Sequence, residues 1–191
     1  MNMDYLSDAA MFLVDTVLGF YITIIVLRLL FQVTQADFYN PISQMIVKLS
    51  NPSIRHLGRL FPTIWRVDIA TVSVALILEG SRVGIITLLE GGQPRISGIS
   101  VEALANLLRL SIWLFVVAIF LRAILSWVST TVNHPIYRLV VSLTEPLMQP
   151  VRRFLPNTHP IDLSPIVLFI ILMLARKLIV QPLADIARVI S

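Results

Sequence analysis

Four stretches of this chain, at about 9–32, 68–90, 104–128 and 164–184, are apolar over the length needed to cross a lipid bilayer. A hydrocarbon core of about 30 Å takes roughly 20 mostly apolar helical residues. No water satisfies the backbone inside lipid, so a crossing segment must be a helix or part of a closed barrel. Continuous apolar runs of this length fit helices, and the fold class expected is an all-α membrane protein with four transmembrane helices. The longest uncharged runs, Thr16–Leu27, Ile69–Leu78, Leu110–Leu121 and Leu163–Ala175, are each too short to span alone. Flanking polar residues must enter the membrane zone, which favours a packed bundle over lipid-bathed single helices. The first stretch lacks a basic leader and a small-residue cleavage site, so it is expected to be retained rather than cleaved.

Composition agrees with the spans. Only 14% of the 191 residues are charged and 57% are hydrophobic, whereas a water-soluble domain carries about 25% charged residues. With no cysteine, disulfides, thiol nucleophiles and thiolate metal sites are excluded. His56, His134 and His159 lie scattered in the polar connections, outside the spans where a membrane haem would need facing axial ligands. No nucleotide loop, metal-ligand cluster or nucleophile elbow is present, so no enzyme activity, cofactor or metal is expected. The net charge of +4 is spread along the chain rather than gathered on one face, which argues against a nucleic-acid partner.

The basic residues serve orientation instead. Lys48, Arg55, Arg59 and Arg66 fall in the first connection and Arg138, Arg152 and Arg153 in the third, while the opposite side has Arg95 in a 91–103 hairpin and Arg188 near the C-terminus. By the positive-inside rule, both long connections are expected to be cytoplasmic and both termini external. Arg176 and Lys177, inside the last apolar stretch, leave the end of the fourth span open between an early exit and a snorkelling pair.

An internal repeat organises the chain. At an offset of 94 residues, Leu27-Arg28 aligns with Leu121-Arg122, Pro41-Ile42 with Pro135-Ile136, Pro52 with Pro146, Pro62 with Pro156, Asp68 with Asp162 and Arg82 with Arg176, without a gap. The division expected is residues 1–94 and 95–191, each with two spans. Both copies then enter from the same side, as parallel repeats about an axis along the membrane normal. Each connection holds an amphipathic segment, at 41–61 and 135–155. Ile42, Met45, Ile46 and Leu49 follow helical spacing, as do Ile136, Leu139, Val140 and Leu143. Pro52 and Pro146 are expected to break these helices, after which Ile54, Leu57 and Leu60, then Leu147, Val151 and Phe154, form a second short face. Arg55 and Arg59, and Arg152 and Arg153, supply the opposite, basic face of an interfacial helix that attracts anionic lipid.

Asp37-Phe38-Tyr39-Asn40-Pro41, Glu145-Pro146-Leu147, Pro150-Val151-Arg152-Arg153-Phe154-Leu155-Pro156 and Ile161-Asp162-Leu163-Ser164-Pro165 make the chain resemble the YggT family over nearly its whole length. The first copy is degraded, with Arg55-His56-Leu57-Gly58-Arg59 lacking the proline found at Pro150. The resemblance implies a bacterial inner-membrane protein without established enzymatic activity, in a family linked to osmotic and potassium homeostasis, to cell-division gene neighbourhoods and, in plastids, to cytochrome b6 maturation.

Two functions are weighed. In the first, Arg55, Arg59, Arg152 and Arg153 engage anionic lipid or partner proteins in envelope or osmotic homeostasis, with membrane proteins or a second copy of the chain as partners. In the second, the chain is a channel or transporter component whose path is lined by the intramembrane groups Asp15, Glu79, Arg82 and Arg109. Glu79 and Arg82 are i, i+3 neighbours, and Asp15 stands at the repeat position of Arg109, so a near two-fold axis would bring those two opposite charges together. Arg28 and Arg122, near span ends, are expected to snorkel towards phosphate. Asp68 and Asp162 are expected to cap the helices that follow them, rather than to form an aspartic dyad. Trp65 and Trp127 fall at interfacial positions and Trp113 more centrally.

Overall fold

The computed structural model describes residues 2–57, 63–64, 67–127, 134–155 and 162–190. Its first helix, α1 (Asn2–Thr34), ends where Gln35 turns left-handed at φ 53° and the Ala36 amide bonds back to the Phe31 carbonyl at 3.0 Å. Helix α2 (Pro41–Leu57) opens under Asn40, whose side-chain oxygen takes the Ile42 amide at 3.0 Å. A short antiparallel ladder, β1 (Thr63–Ile64) with β2 (Val67–Asp68), pairs Thr63 with Asp68. The Asp68 carboxylate then caps α3 (Ile69–Leu89) through the Ala70 amide at 3.0 Å, so the expected capping role holds for this aspartate.

Helix α3 closes on Gly91, whose φ of 80° suits a residue without a Cβ. The Gly92 amide reaches the Thr87 carbonyl at 2.9 Å across that turn. Helix α4 (Ile96–Trp127) starts directly afterwards, eight residues earlier than the hydropathy pattern suggests. The polar run Ser97, Gly98, Ser100 and Glu102 hides a first turn and a half that is helical but not lipid-like. After α5 (Pro135–Phe154), capped by the His134 ring nitrogen at the Ile136 amide, comes α6 (Ser164–Ala175); the capping expected of Asp162 is corrected, since Leu163 holds the cap position and Asp162, one residue further out, accepts the Ser164 amide on its Oδ1 at 2.9 Å. A π-helical turn, Arg176–Val180, links α6 to α7 (Gln181–Ile190). The helix thus does not end at Arg176. It widens by one residue and continues.

Four helical segments are long and apolar enough to cross a bilayer: Tyr5–Thr34, Ile69–Leu89, Ile96–Ser126 and Ser164–Ile190. Only 22%, 22%, 22% and 17% of their most apolar windows are buried inside the protein. Phe12, Phe20, Ile77, Phe120, Ile170 and Leu178 are all exposed. A molecule in water would associate through so much apolar surface; a lipid bilayer covers it.

The expected breaks at Pro52 and Pro146 are corrected. Helix α2 runs through Pro52, and α5 through Pro146 and Pro150. Each proline lies on the exposed side of its helix, so the missing N–H and the tilted carbonyl fall on the outer flank, where bending costs least. The buried flank of α2 is Ser43, Ile46, Ser50 and Ile54, and that of α5 is Leu139, Val140, Leu143, Thr144, Met148 and Val151. Met45 and Leu49, expected on the apolar face, are exposed, as are Ile136 and Phe154.

Three clusters form the core. Ile25, Ile54, Ala70, Val74 and Ala75 join α1, α2 and α3, while Ile119, Met148, Val151, Leu168 and Leu172 join α4, α5 and α6. Between them Ile22, Val26 and Leu30 of α1 meet Ala118 of α4 and Val140 and Leu143 of α5. Ile54 and Met148, each inserted between two spans, stand 94 residues apart.

Candidate functional site

Glu79 sits midway along α3, and Arg82 follows one turn later on the same face. The Arg82 Nε donates to Glu79 Oε2 at 3.1 Å, and its Nη1 pairs with the Asp15 carboxylate of α1. Exposure rises through the cluster, from 3% for Glu79 to 21% for Arg82 and 58% for Asp15. A buried carboxylate therefore meets its cation inside the bundle, and the cation's other side faces a cavity of about 320 Å³. Gly19 and Thr23 of α1 and Asn106, Arg109 and Trp113 of α4 are among its other lining residues.

Three of the four intramembrane residues singled out in the sequence are thus bonded together, and the fourth borders the same cavity. The pairing differs from the one expected. Asp15 takes Arg82, and the Arg109 guanidinium donates instead to Asn106 Oδ1 at 3.0 Å. Asn106 is a neutral residue one turn before Arg109, and only its i, i+3 spacing marked it in advance.

The snorkelling expected of Arg28 and Arg122 is also corrected. Arg28 Nη1 donates to Ser50 Oγ at 3.1 Å and Asn51 Oδ1 at 2.9 Å. Arg122 donates to Thr144 Oγ1 at 2.8 Å and Glu145 Oε2 at 2.7 Å. Both guanidiniums turn inward because a hydroxyl and a neighbouring oxygen on the following helix offer fixed acceptors, which lipid phosphates do not. Each latches a connection helix to the preceding span, and the two sets of contacts are 94 residues apart.

The four basic residues expected on the connections part company. Arg55 and Arg153 are exposed on α2 and α5. Arg152 is paired, with Glu145 at 2.8 Å and Asp162 at 3.0 Å. Arg59 lies outside the described residues, as do Leu60, Pro62, Trp65, Pro156 and His159. The Glu145–Arg152 spacing of seven residues, two helical turns, was the available signal for that pair. Partial burial pushes the Asp162 carboxyl up, but hydrogen bonds from Ser164 and Arg152 outweigh it and hold the group below its ordinary 3.8.

Asn40 Nδ2 donates to the Pro135 carbonyl at 2.7 Å, and Arg138 pairs with Asp37 at 3.3 Å, so the starts of α2 and α5 are tied together. Among the described residues, no group of three or more His, Asp or Glu side chains is placed to hold a metal ion. What this arrangement provides is fixed charge inside an apolar bundle and exposed cations on two adjoining helices.

Four apolar helices with an ion-paired cluster among them define a multi-pass membrane protein. The sequence model of the CCB3/YggT family matches residues 7–89 and again 101–183, and the chain belongs to that family. It is 37% identical to an uncharacterized Vibrio alginolyticus protein encoded in the proC 3′ region, over 87% of this chain and 91% of that one. Against an uncharacterized Pseudomonas aeruginosa protein the identity is 33%, over 94% and 92% of the two chains. Against the uncharacterized protein YggT of Escherichia coli K12 it is 35%, over 84% of each. No solved structure matches this chain.

Proposed function

We propose that this chain is a non-enzymatic factor of the bacterial inner membrane that engages anionic lipid, or a partner protein, through the outer faces of α2 and α5, in envelope or osmotic homeostasis. One observation carries the reading. Arg55 and Arg153 are exposed on the same two helices that expose Met45, Leu49, Ile136 and Phe154. Cations beside unburied apolar side chains are what an interfacial helix presents to headgroups and acyl chains. In this reading both helices lie on the cytoplasmic leaflet and both termini are periplasmic, following the distribution of Lys and Arg.

The reading also holds the chain to be two parallel two-span repeats, residues 1–94 and 95–191. It is supported by the family's matching twice at starts 94 residues apart, and by the paired latches of Arg28 and Arg122. The test is a reconstitution into phosphatidylcholine vesicles doped with phosphatidylglycerol, reading the enrichment of a fluorescent anionic lipid around the protein. At about 1 kcal/mol per basic residue, Arg55→Glu with Arg153→Glu should reduce that enrichment by roughly tenfold or more. Equal enrichment in wild type and variant sinks the proposal.

A second reading, an ion- or solute-conducting component, is favoured by the cavity at Asp15, Arg82 and Arg109. Potassium flux through vesicles holding wild type, lost in the Glu79→Gln, Arg82→Gln form while it stays folded, would support conduction. A well-folded wild type without flux would remove it.

A further inference from the structure

Arg82 sits between Glu79 and Asp15. Ninety-four residues on, the corresponding positions read Arg176, Met173 and Arg109. The guanidinium is kept, the buried carboxylate becomes a thioether, and the second carboxylate becomes another guanidinium. Arg109 and Arg176 border one cavity of about 480 Å³ together with Gln181, Asp185 and Arg188. Its lining holds three guanidiniums against one carboxylate, and that carboxylate is bonded to Arg188 at 3.2 Å.

The contacts made by the other two cations leave their charge in place. Arg109 donates to the neutral amide of Asn106, and Arg176 lies over the Trp113 ring with its Cζ 5.9 Å from the centroid. Both stand within spanning segments, where a cation not bonded to a carboxylate is costly, and Arg109 lies between this cavity and the one lined by Asp15, Glu79 and Arg82. Local backbone geometry adds to the case. The π-turn is closed by the Gln181 amide on the Arg176 carbonyl, which stacks Gln181 over Arg176. Ala184, Asp185 and Arg188 then continue that face by α-helical steps, so a single wide turn aims all of them at the cavity. Such π-turns recur at binding sites.

We propose that this cavity is a phosphate-anion site, with Arg109 and Arg176 as its ligands, taking the phosphate of a lipid headgroup or free phosphate. The bound anion does for Arg176 what Glu79 does for Arg82. Planar guanidiniums suit phosphate oxygens, which they meet with paired hydrogen bonds. The site is separate from the exposed arginines of α2 and α5, so each proposal stands or falls by its own variants.

The full chain, purified in detergent, is titrated with inorganic phosphate, and in parallel placed in phosphatidylcholine nanodiscs with increasing phosphatidylglycerol, with bound lipid read by native mass spectrometry. Wild type is expected to hold one phosphate-bearing anion. Competition by inorganic phosphate identifies the free ion as a ligand, and retention of lipid alone identifies a headgroup. Arg109→Gln and Arg176→Gln should each weaken binding at least tenfold, and Arg95→Gln, at an exposed position between α3 and α4, should leave it unchanged. Met173→Glu, which installs the carboxylate that Arg82 already has, should displace the anion while keeping the fold. Absence of both ligands from wild type, or wild-type binding by Met173→Glu, overturns the proposal.

Discussion

The Glu79–Arg82–Asp15 cluster shows how differently three charges of one network weigh. Removing one partner of a buried pair strands the other charge, at a cost of about 3–5 kcal/mol, and Glu79 is the member with almost no exposure. Arg82→Gln is therefore expected to destabilise the protein by about 3 kcal/mol or more, read as the unfolding midpoint in mixed micelles. The double Glu79→Gln, Arg82→Gln variant should recover much of that loss. Asp15, more than half exposed, should cost no more than about 1 kcal/mol as Asp15→Asn. A double variant less stable than Arg82→Gln would mean that the pair is not what holds Glu79 in place. At Asp162 the folded carboxyl titrates below its ordinary value, so the stability it contributes is complete above the unfolded value of 3.8 and is lost as pH falls through the lower folded one. The thermal midpoint of wild type should decline on that acid side, and Asp162→Asn should flatten this part of the curve. The Glu79–Arg82 bond was legible as an i, i+3 pair. The choice of Arg82 over Arg109 by Asp15 was not, because it depends on how α1 is set against α3.

At the scale of elements, α2 and α5 are held by latches rather than by propensity. Their prolines would weaken free helices, by about 3 kcal/mol each relative to alanine in an interior position, yet both helices are continuous. Pro146→Ala should then leave α5 intact and raise stability by roughly 1 kcal/mol or more. A lower thermal midpoint would show that the proline's bend is needed for packing. Arg122→Gln removes charge-assisted bonds to Thr144 and Glu145, each worth about 1.5–3 kcal/mol. Faster amide exchange is expected along α5 and not along α2, with Arg28→Gln giving the converse. The helices themselves were readable from apolar spacing and from Asn40, His134 and Asp68 at their starts. Their continuity was not, since a proline in the sequence does not tell which flank it will occupy. The start of α4 was not legible for a related reason: hydropathy locates the apolar middle of the helix, while in its polar first segment Ser100 Oγ bonds to the Ile96 carbonyl and Ile99 packs against Gly80 and Gly84 of α3.

For the whole molecule, each connection helix plugs the gap between two spans, with Ile54 in one core and Met148 in another. Side-chain contacts of Arg28 with Ser50 and of Arg122 with Thr144 repeat at the same 94-residue interval as the sequence. The four apolar helices were legible from the hydropathy of their runs. Where the halves diverge, at Glu79 and Met173 or Asp15 and Arg109, the alignment could mark the difference but not the cavities that it leaves. In the proposed topology, α2 and α5 lie on the cytoplasmic side of a four-span bundle and the α3–α4 turn lies outside. The absence of native cysteine makes this directly measurable. Gln93→Cys in the turn and Gln149→Cys on α5 would be treated with a membrane-impermeant maleimide in intact spheroplasts and again after permeabilisation. Labelling of Gln93→Cys is expected in both conditions, and of Gln149→Cys only after permeabilisation. Labelling of both in intact cells, or the reverse pattern, would contradict that topology.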